Sequence, residues 1–141
     1  MRMLALAIGT NLLTCPAMAD VNVAGHWTFE AMLGGECTFG GTAFLERTEE
    51  NRFTGEITAQ QSCPTLPEDY LVRQECTASQ LGNQLSVRCR IVEFVNGFGS
   101  EFYYPDNFTL TIESSSRLYG ALVSAGGTRP AEWIRDERGI S

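Results

Sequence analysis

From Trp27 onward the chain alternates apolar and polar residues with a period of two, and turn residues interrupt the alternation about every ten positions. Successive side chains of a strand point to opposite faces, so this pattern describes half-buried antiparallel strands and no amphipathic helix. The segments are rich in Thr, Val and Phe, which pack well on a pleated surface. The expectation is an all-β meander.

Registers follow hairpin by hairpin. Residues 23–33 set Trp27, Phe29, Ala31 and Leu33 on one face and His26, Thr28, Glu30 and Met32 on the other, so the chain's single histidine points away from the apolar side. Folding residues 36–47 onto 52–63 about Glu50 sets Cys37, Phe39, Gly41, Ala43 and Leu45 opposite Cys63, Gln61, Ala59, Ile57 and Gly55. Of those partners only Gln61 is neither apolar nor small. The stretch CTASQLGNQLSVRC, residues 76–89, turns on Gly82-Asn83, a two-residue loop of the kind hairpins favour. Cys76 and Cys89 then meet at a non-hydrogen-bonded pair, where Cα atoms approach within about 4.5 Å, inside disulfide range. Ala78, Leu85, Val87 and Ile91 share their face. A second bridge joins Cys37 to Cys63 and closes a loop worth about 3 kcal/mol in the chain-entropy model.

Asn96-Gly97 is a further hairpin-turn signal, returning the chain from Ile91-Val92 toward Phe102-Tyr103. YPDN at 104–107 then interrupts the strand as a turn or a bulge. Phe108, Leu110 and Ile112 continue the apolar face, Ser114-Ser115-Ser116 turns the chain, and Leu118, Gly120 and Leu122 come back. Gly126-Gly127 turns it once more, placing Ala131, Trp133 and Arg135 opposite Leu122, Gly120 and Leu118. With YPDN as a bulge there are eight strands, which close into an up-and-down barrel and so remove the exposed sheet edges. An even strand count brings Trp27 and Arg135 to the same rim, where a desolvated guanidinium over an indole stabilises by up to about 2 kcal/mol.

Gly25-His26-Trp27 at the start of the first strand, with Arg135 from the last strand over the indole, resembles the calycin-type barrels: lipocalins, avidins and the lipocalin-like bacterial metalloprotease inhibitors. The resemblance implies an eight-stranded up-and-down barrel. For the inhibitor branch it also implies a short N-terminal arm reaching into a protease cleft, here Asp20-Val21-Asn22-Val23.

Residues 1–19, MRMLALAIGTNLLTCPAMA, read as a secretory signal peptide: a basic start at Arg2, a short apolar run and an Ala17-Met18-Ala19 exit. That run falls short of the roughly 20 residues a spanning helix requires, so no stable membrane insertion is expected. Residues 20–141 then form one domain. Cleavage leaves four cysteines, an even number in a periplasmic or secreted chain, and their spacing lacks the close pairs of a metal site.

The formal net charge of −7 opposes phosphate backbones, which excludes nucleic acid as a partner. All ten basic residues are arginine, so lysine Schiff-base chemistry is absent. A Ser or Cys nucleophile needs a positioned base, yet the one histidine faces outward and the cysteines are bridged. The expectation is therefore no enzyme, no cofactor and no metal. Glu93 is the one acid these registers turn inward, and Phe98, Phe102, Tyr104 and Phe108 line or cap a cavity mouth. Small inward residues, among them Gly41, Ala43, Gly55, Ala59, Ala78, Gly120, Ser124 and Ala131, allow tight collapse or leave room for one small ligand. The reading is an exported, non-catalytic barrel binding a small, partly apolar molecule. An inhibitor of secreted proteases is the alternative, and a structural envelope-associated domain is the third class.

Overall fold

The computed structural model describes residues 21–97, 103–125 and 127–138. Eight strands follow in chain order: β1 (Gly25–Met32), β2 (Thr38–Glu49), β3 (Arg52–Ser62), β4 (Tyr70–Leu81), β5 (Gln84–Asn96), β6 (Asn107–Ile112), β7 (Arg117–Ser124) and β8 (Gly127–Arg135). Each pairs antiparallel with its sequence neighbour, and β8 returns to β1, so the sheet closes as an up-and-down barrel. The expected signal peptide lies outside the described residues.

The β2–β3 register is the expected one: Phe39 faces Gln61, Gly41 faces Ala59, Ala43 faces Ile57 and Leu45 faces Gly55. Both disulfides also form as expected, Cys37–Cys63 and Cys76–Cys89. Inward residues build one core, centred on Phe29, Phe108 and Trp133, whose ring centroids lie 5.1 to 5.6 Å apart. Three of the small inward residues serve close backbone approach. A Cβ added to Gly41 would sit 1.9 Å from the Thr58 carbonyl oxygen, one on Gly55 2.0 Å from that of Phe44, and one on Gly120 2.2 Å from that of Thr109. There the space is filled by the neighbouring strand bending over, as barrel corners require.

Two registers depart from expectation. In β7–β8, Leu118 faces Trp133, Gly120 faces Ala131 and Leu122 faces Arg129, two residues from the pairing drawn about Gly126-Gly127. Ser124 pairs with Gly127 and leaves a two-residue turn that Ala125 enters at φ 49°, so the reversal comes one residue earlier. A slip of two preserves the face, and Trp133 and Ala131 still point inward. In β4–β5 the pairing passes from Gln74–Ile91 to Arg73–Glu93, which inserts Val92 as an extra residue. This bulge reverses the alternation, turning Phe94 toward the interior and Glu93 to solvent. Tyr103, expected in a strand, and YPD at 104–106 are irregular, and β6 begins only at Asn107; residues 98–102 of the expected strand lie outside the described residues.

One end of the barrel is blocked. The Arg135 guanidinium lies 4.4 Å from the Trp27 ring centroid. It donates to three carbonyl oxygens, those of Ala24 (2.7 Å), Asn22 (2.7 Å) and Ser115 (2.6 Å). Trp27 Nε1 donates to the Val23 carbonyl at 2.9 Å, and Val23 is fully buried beneath the rim. Gly25 is required here twice over, by its φ of 122° and because a Cβ would meet Arg135 Nη1 at 2.7 Å. Val21 and Asn22 are held as well, through Gln80 Nε2 on the Val21 carbonyl and Arg135 on that of Asn22. The proposed inhibitory arm is thus docked at residues 21–23 against its own barrel; Asp20 lies outside the described residues.

Gly55→Ala should destabilise by about 3 kcal/mol, because the added methyl overlaps backbone that cannot yield. Gly127→Ala, whose nearest neighbour would be 3.8 Å away, should stay within about 0.5 kcal/mol. Urea melts with intact disulfides compare the two. In the same assay Trp27→Phe and Arg135→Ala should couple by about 1 to 2 kcal/mol in a double-mutant cycle, since the two side chains touch.

Candidate functional site

The opposite end is open. A cavity of about 260 Å³ sits there, walled by Leu33, Phe39 and Leu122, with Gln61, Tyr103, Tyr104, Asp106, Ser124 and Arg129 supplying polar atoms. The Cys37–Cys63 bridge ties the start of β2 to the end of β3 at this mouth.

Its polar centre arises because the barrel seam is incomplete. β5 and β6 pair only from Gln84–Val87 to Phe108–Thr111. Beyond that point side chains replace the ladder. Asn107 Oδ1 accepts the Cys89 N–H at 2.8 Å, and Gln74 clasps Asp106 twice, its Oε1 accepting the Asp106 backbone N–H at 2.9 Å and its Nε2 donating to Oδ2 at 2.7 Å. The Tyr103 hydroxyl donates to the same Oδ2 at 2.7 Å. The Tyr103 ring is held by Tyr70 and Phe94, with centroids 5.2 and 6.0 Å away. Gln74 and Asp106 are 0% and 2% exposed, so this is an interior polar network beside the cavity.

Burial pushes the Asp106 carboxyl up to about 6, while hydrogen bonds from Gln74, Tyr103 and Ser124 pull the other way. The Tyr103 phenol is raised above its ordinary value, first by burial and then by the adjoining carboxylate, so it stays a donor. Chemically the arrangement presents a desolvated carboxylate, a fixed hydroxyl and aromatic faces. Among the described residues no group of three or more His, Cys, Asp or Glu could hold a metal ion.

The expected site residues scatter. Tyr104 does line the cavity, half exposed. Phe108 lies instead in the core, 1% exposed and edge-on to Trp133, because the β6 pleat turns it inward one layer below the mouth. Glu93 stands on the outer surface, where Arg73 Nε donates to it at 3.1 Å; the bulge at Val92 put it there. Phe98 and Phe102 lie outside the described residues. His26 faces outward with its ring 4.6 Å from that of Phe44. Sequence reasoning missed Gln74 and Asp106. Gln74 was readable in principle, since it falls in phase with Val72, Cys76 and Ala78 on the inward face of β4. Asp106 carries no such signal, because an Asp after Pro105 reads as turn chemistry.

A larger furrow, about 850 Å³, crosses the outer face of β2 to β5. Its lining is mostly Thr, Glu and Arg around Phe44 and the Cys76–Cys89 bridge, with Arg90 paired to Glu75; beside it Arg73 bridges Glu56 at 3.3 Å and Glu93. Such exposed pairs contribute little.

No protein-family model and no curated protein sequence matches the chain. Solved structures do. One is a de novo designed fluorescence-activating β-barrel, 13% identical, with 86% of this chain and 100% of that chain covered at a TM-score of 0.61. Another is a redesigned β-barrel, mFAP1, bound to DFHBI, 13% identical over 86% of this chain and 100% of that chain, TM-score 0.58. Fold and site together define the class: a closed eight-stranded antiparallel barrel, blocked at one end and open to a small cavity at the other. At these identities the likeness is one of fold.

Asp106 gives stability a definite pH dependence. Below about pH 4 the carboxyl is protonated folded or unfolded; between about 4 and 6 only the folded state keeps the proton; above that, the folded state carries a buried charge. Its stabilising contribution is therefore lost as pH rises through about 6, on the order of 3 kcal/mol in all. Asp106→Asn should be more stable than the parent at pH 7.5 and lose that advantage by pH 4, as measured by urea melts across the range.

Proposed function

We propose that this protein is an exported, non-catalytic barrel that holds a small, partly apolar molecule in the cavity at its open mouth. The observation that carries the reading is the cavity itself: an apolar wall of Leu33, Phe39 and Leu122 facing a few fixed polar groups. Ligand sites have this composition, many apolar atoms and few oriented polar ones. The volume suits a molecule of one ring with substituents. The two disulfides favour an oxidising, exported setting, periplasmic or secreted.

The blocked end supports the calycin resemblance, since Gly25, Trp27 and Arg135 take the roles it assigns them. That a barrel of this fold has been solved bound to DFHBI supports small-molecule binding as a use of the architecture. The protease-inhibitor reading is weaker, because residues 21–23 are engaged by Arg135, Trp27 and Gln80.

Benzyl alcohol, titrated by NMR, should bind with a dissociation constant of roughly 1 mM, from about −0.5 kcal/mol per heavy atom. Ser124→Phe, which fills the cavity from a half-exposed position, should abolish that binding while leaving the circular dichroism spectrum unchanged. Equal binding by parent and variant would move the site elsewhere.

A further inference from the structure

The charge balance of the mouth points to a ligand class. Asp106 is 2% exposed, and the groups that bond its carboxylate are neutral: the Gln74 amide and the Tyr103 hydroxyl on Oδ2, both at 2.7 Å, and the Ser124 hydroxyl. The chain has no lysine, and Arg129, the one cation among the cavity residues, stands exposed and forms no ion pair with Asp106 among the described residues. A buried carboxylate is ordinarily paired with a cation or bound to a metal, because neutral dipoles only partly replace its hydration. Among the described residues no cation pairs with it, and a cavity large enough for one lies alongside. Phe39, Tyr103 and Tyr104 contribute aromatic rings to the same cavity, and a ring face attracts a cation. The formal net charge of −7 adds a long-range field that gathers cations and repels anions.

We infer that the occupant of the mouth cavity is a small organic cation, a protonated amine on an apolar or aromatic body, its N–H groups donated to the Asp106 carboxylate. This rests on the reading of the cavity as a ligand site and adds the ligand's charge. The amine supplies the positive charge that the fold withholds, and its body covers Leu33, Phe39 and Leu122. A pH dependence follows. The titratable and charged groups around Asp106 are Tyr103 and Tyr104 on its own segment and Arg129 from β8. The Tyr103 phenol is raised by burial and the adjoining carboxylate, and the Asp106 carboxyl, raised to about 6, takes up a proton as pH falls through that value, so acid should weaken amine binding.

The test compares three probes of one shape by NMR titration: benzylamine, benzyl alcohol and benzoate. At pH 7.5 benzylamine should bind at least tenfold tighter than benzyl alcohol, and benzoate weakest. Its affinity should fall about tenfold between pH 7 and pH 5, where benzylamine stays protonated, while that of benzyl alcohol stays flat. In Asp106→Asn, folded by circular dichroism, the two should bind within twofold of each other. Should that variant fail to fold, the charge and pH comparisons on the parent protein decide alone. Benzyl alcohol binding as tightly as benzylamine would overturn the cation assignment and leave the small-ligand reading intact. Benzoate binding best, and losing that binding in Arg129→Ala, would also overturn it and make the mouth an anion site. Binding of none of the three would overturn both readings together.

Discussion

The barrel depends on one guanidinium. Arg135 covers the Trp27 indole and takes up three backbone carbonyls from two separate segments, residues 22 and 24 before β1 and residue 115 between β6 and β7. Partial burial lowers its pKa from the ordinary value, yet an arginine keeps its charge, so all three bonds are charge-assisted. Lysine could not substitute, because one ammonium lacks the planar fork that reaches both sides of the rim. With β8 fixed over β1, the last and first strands pair through Trp27–Arg135 and onward to Ala31–Ala131, and no sheet edge remains between them.

Closure at one end shifts the structural compromises to the other. β6 has six residues against thirteen in β5, and it pairs with only Gln84–Val87 of that strand. Backbone groups left there need partners, and Gln74 and Asn107 provide them from side chains, with the Asp106 carboxylate holding the Gln74 amide in place. A fully apolar seam would leave the Cys89 N–H and the Asp106 N–H unpaired, each costing about 1 to 3 kcal/mol. Burying a carboxylate is the cost of this repair, and it falls beside the cavity at the open mouth.

What could be read in advance depended on strict pairing. The β2–β3 hairpin was legible residue by residue because a cysteine pair and the pleat had to be satisfied by one register, and Cys76–Cys89 followed from a two-residue turn. Where local signals gave way, so did the reading. A single added residue at Val92 costs little locally but reverses the side chains at 93 and 94, before a second added residue at Val95, and Glu93 moved from interior to surface. At 125–127, Ala-Gly-Gly allowed more than one turn position, and the observed register sets Trp133 opposite Leu118. Asp106 was illegible for a different reason. Its partners are Gln74, 32 residues earlier, and a tyrosine outside any strand, and no periodicity encodes such a meeting.

The blocked rim also carries both ends of the described chain, with Val23 beneath it and Arg135 leading into Asp136, whose backbone N–H bonds the His26 carbonyl at 2.8 Å. The described chain therefore enters and leaves the barrel on the side opposite the cavity, so a partner domain fused directly at residue 21 or residue 138 would attach at the end away from the entrance. The handle and the cup sit at opposite poles of the barrel.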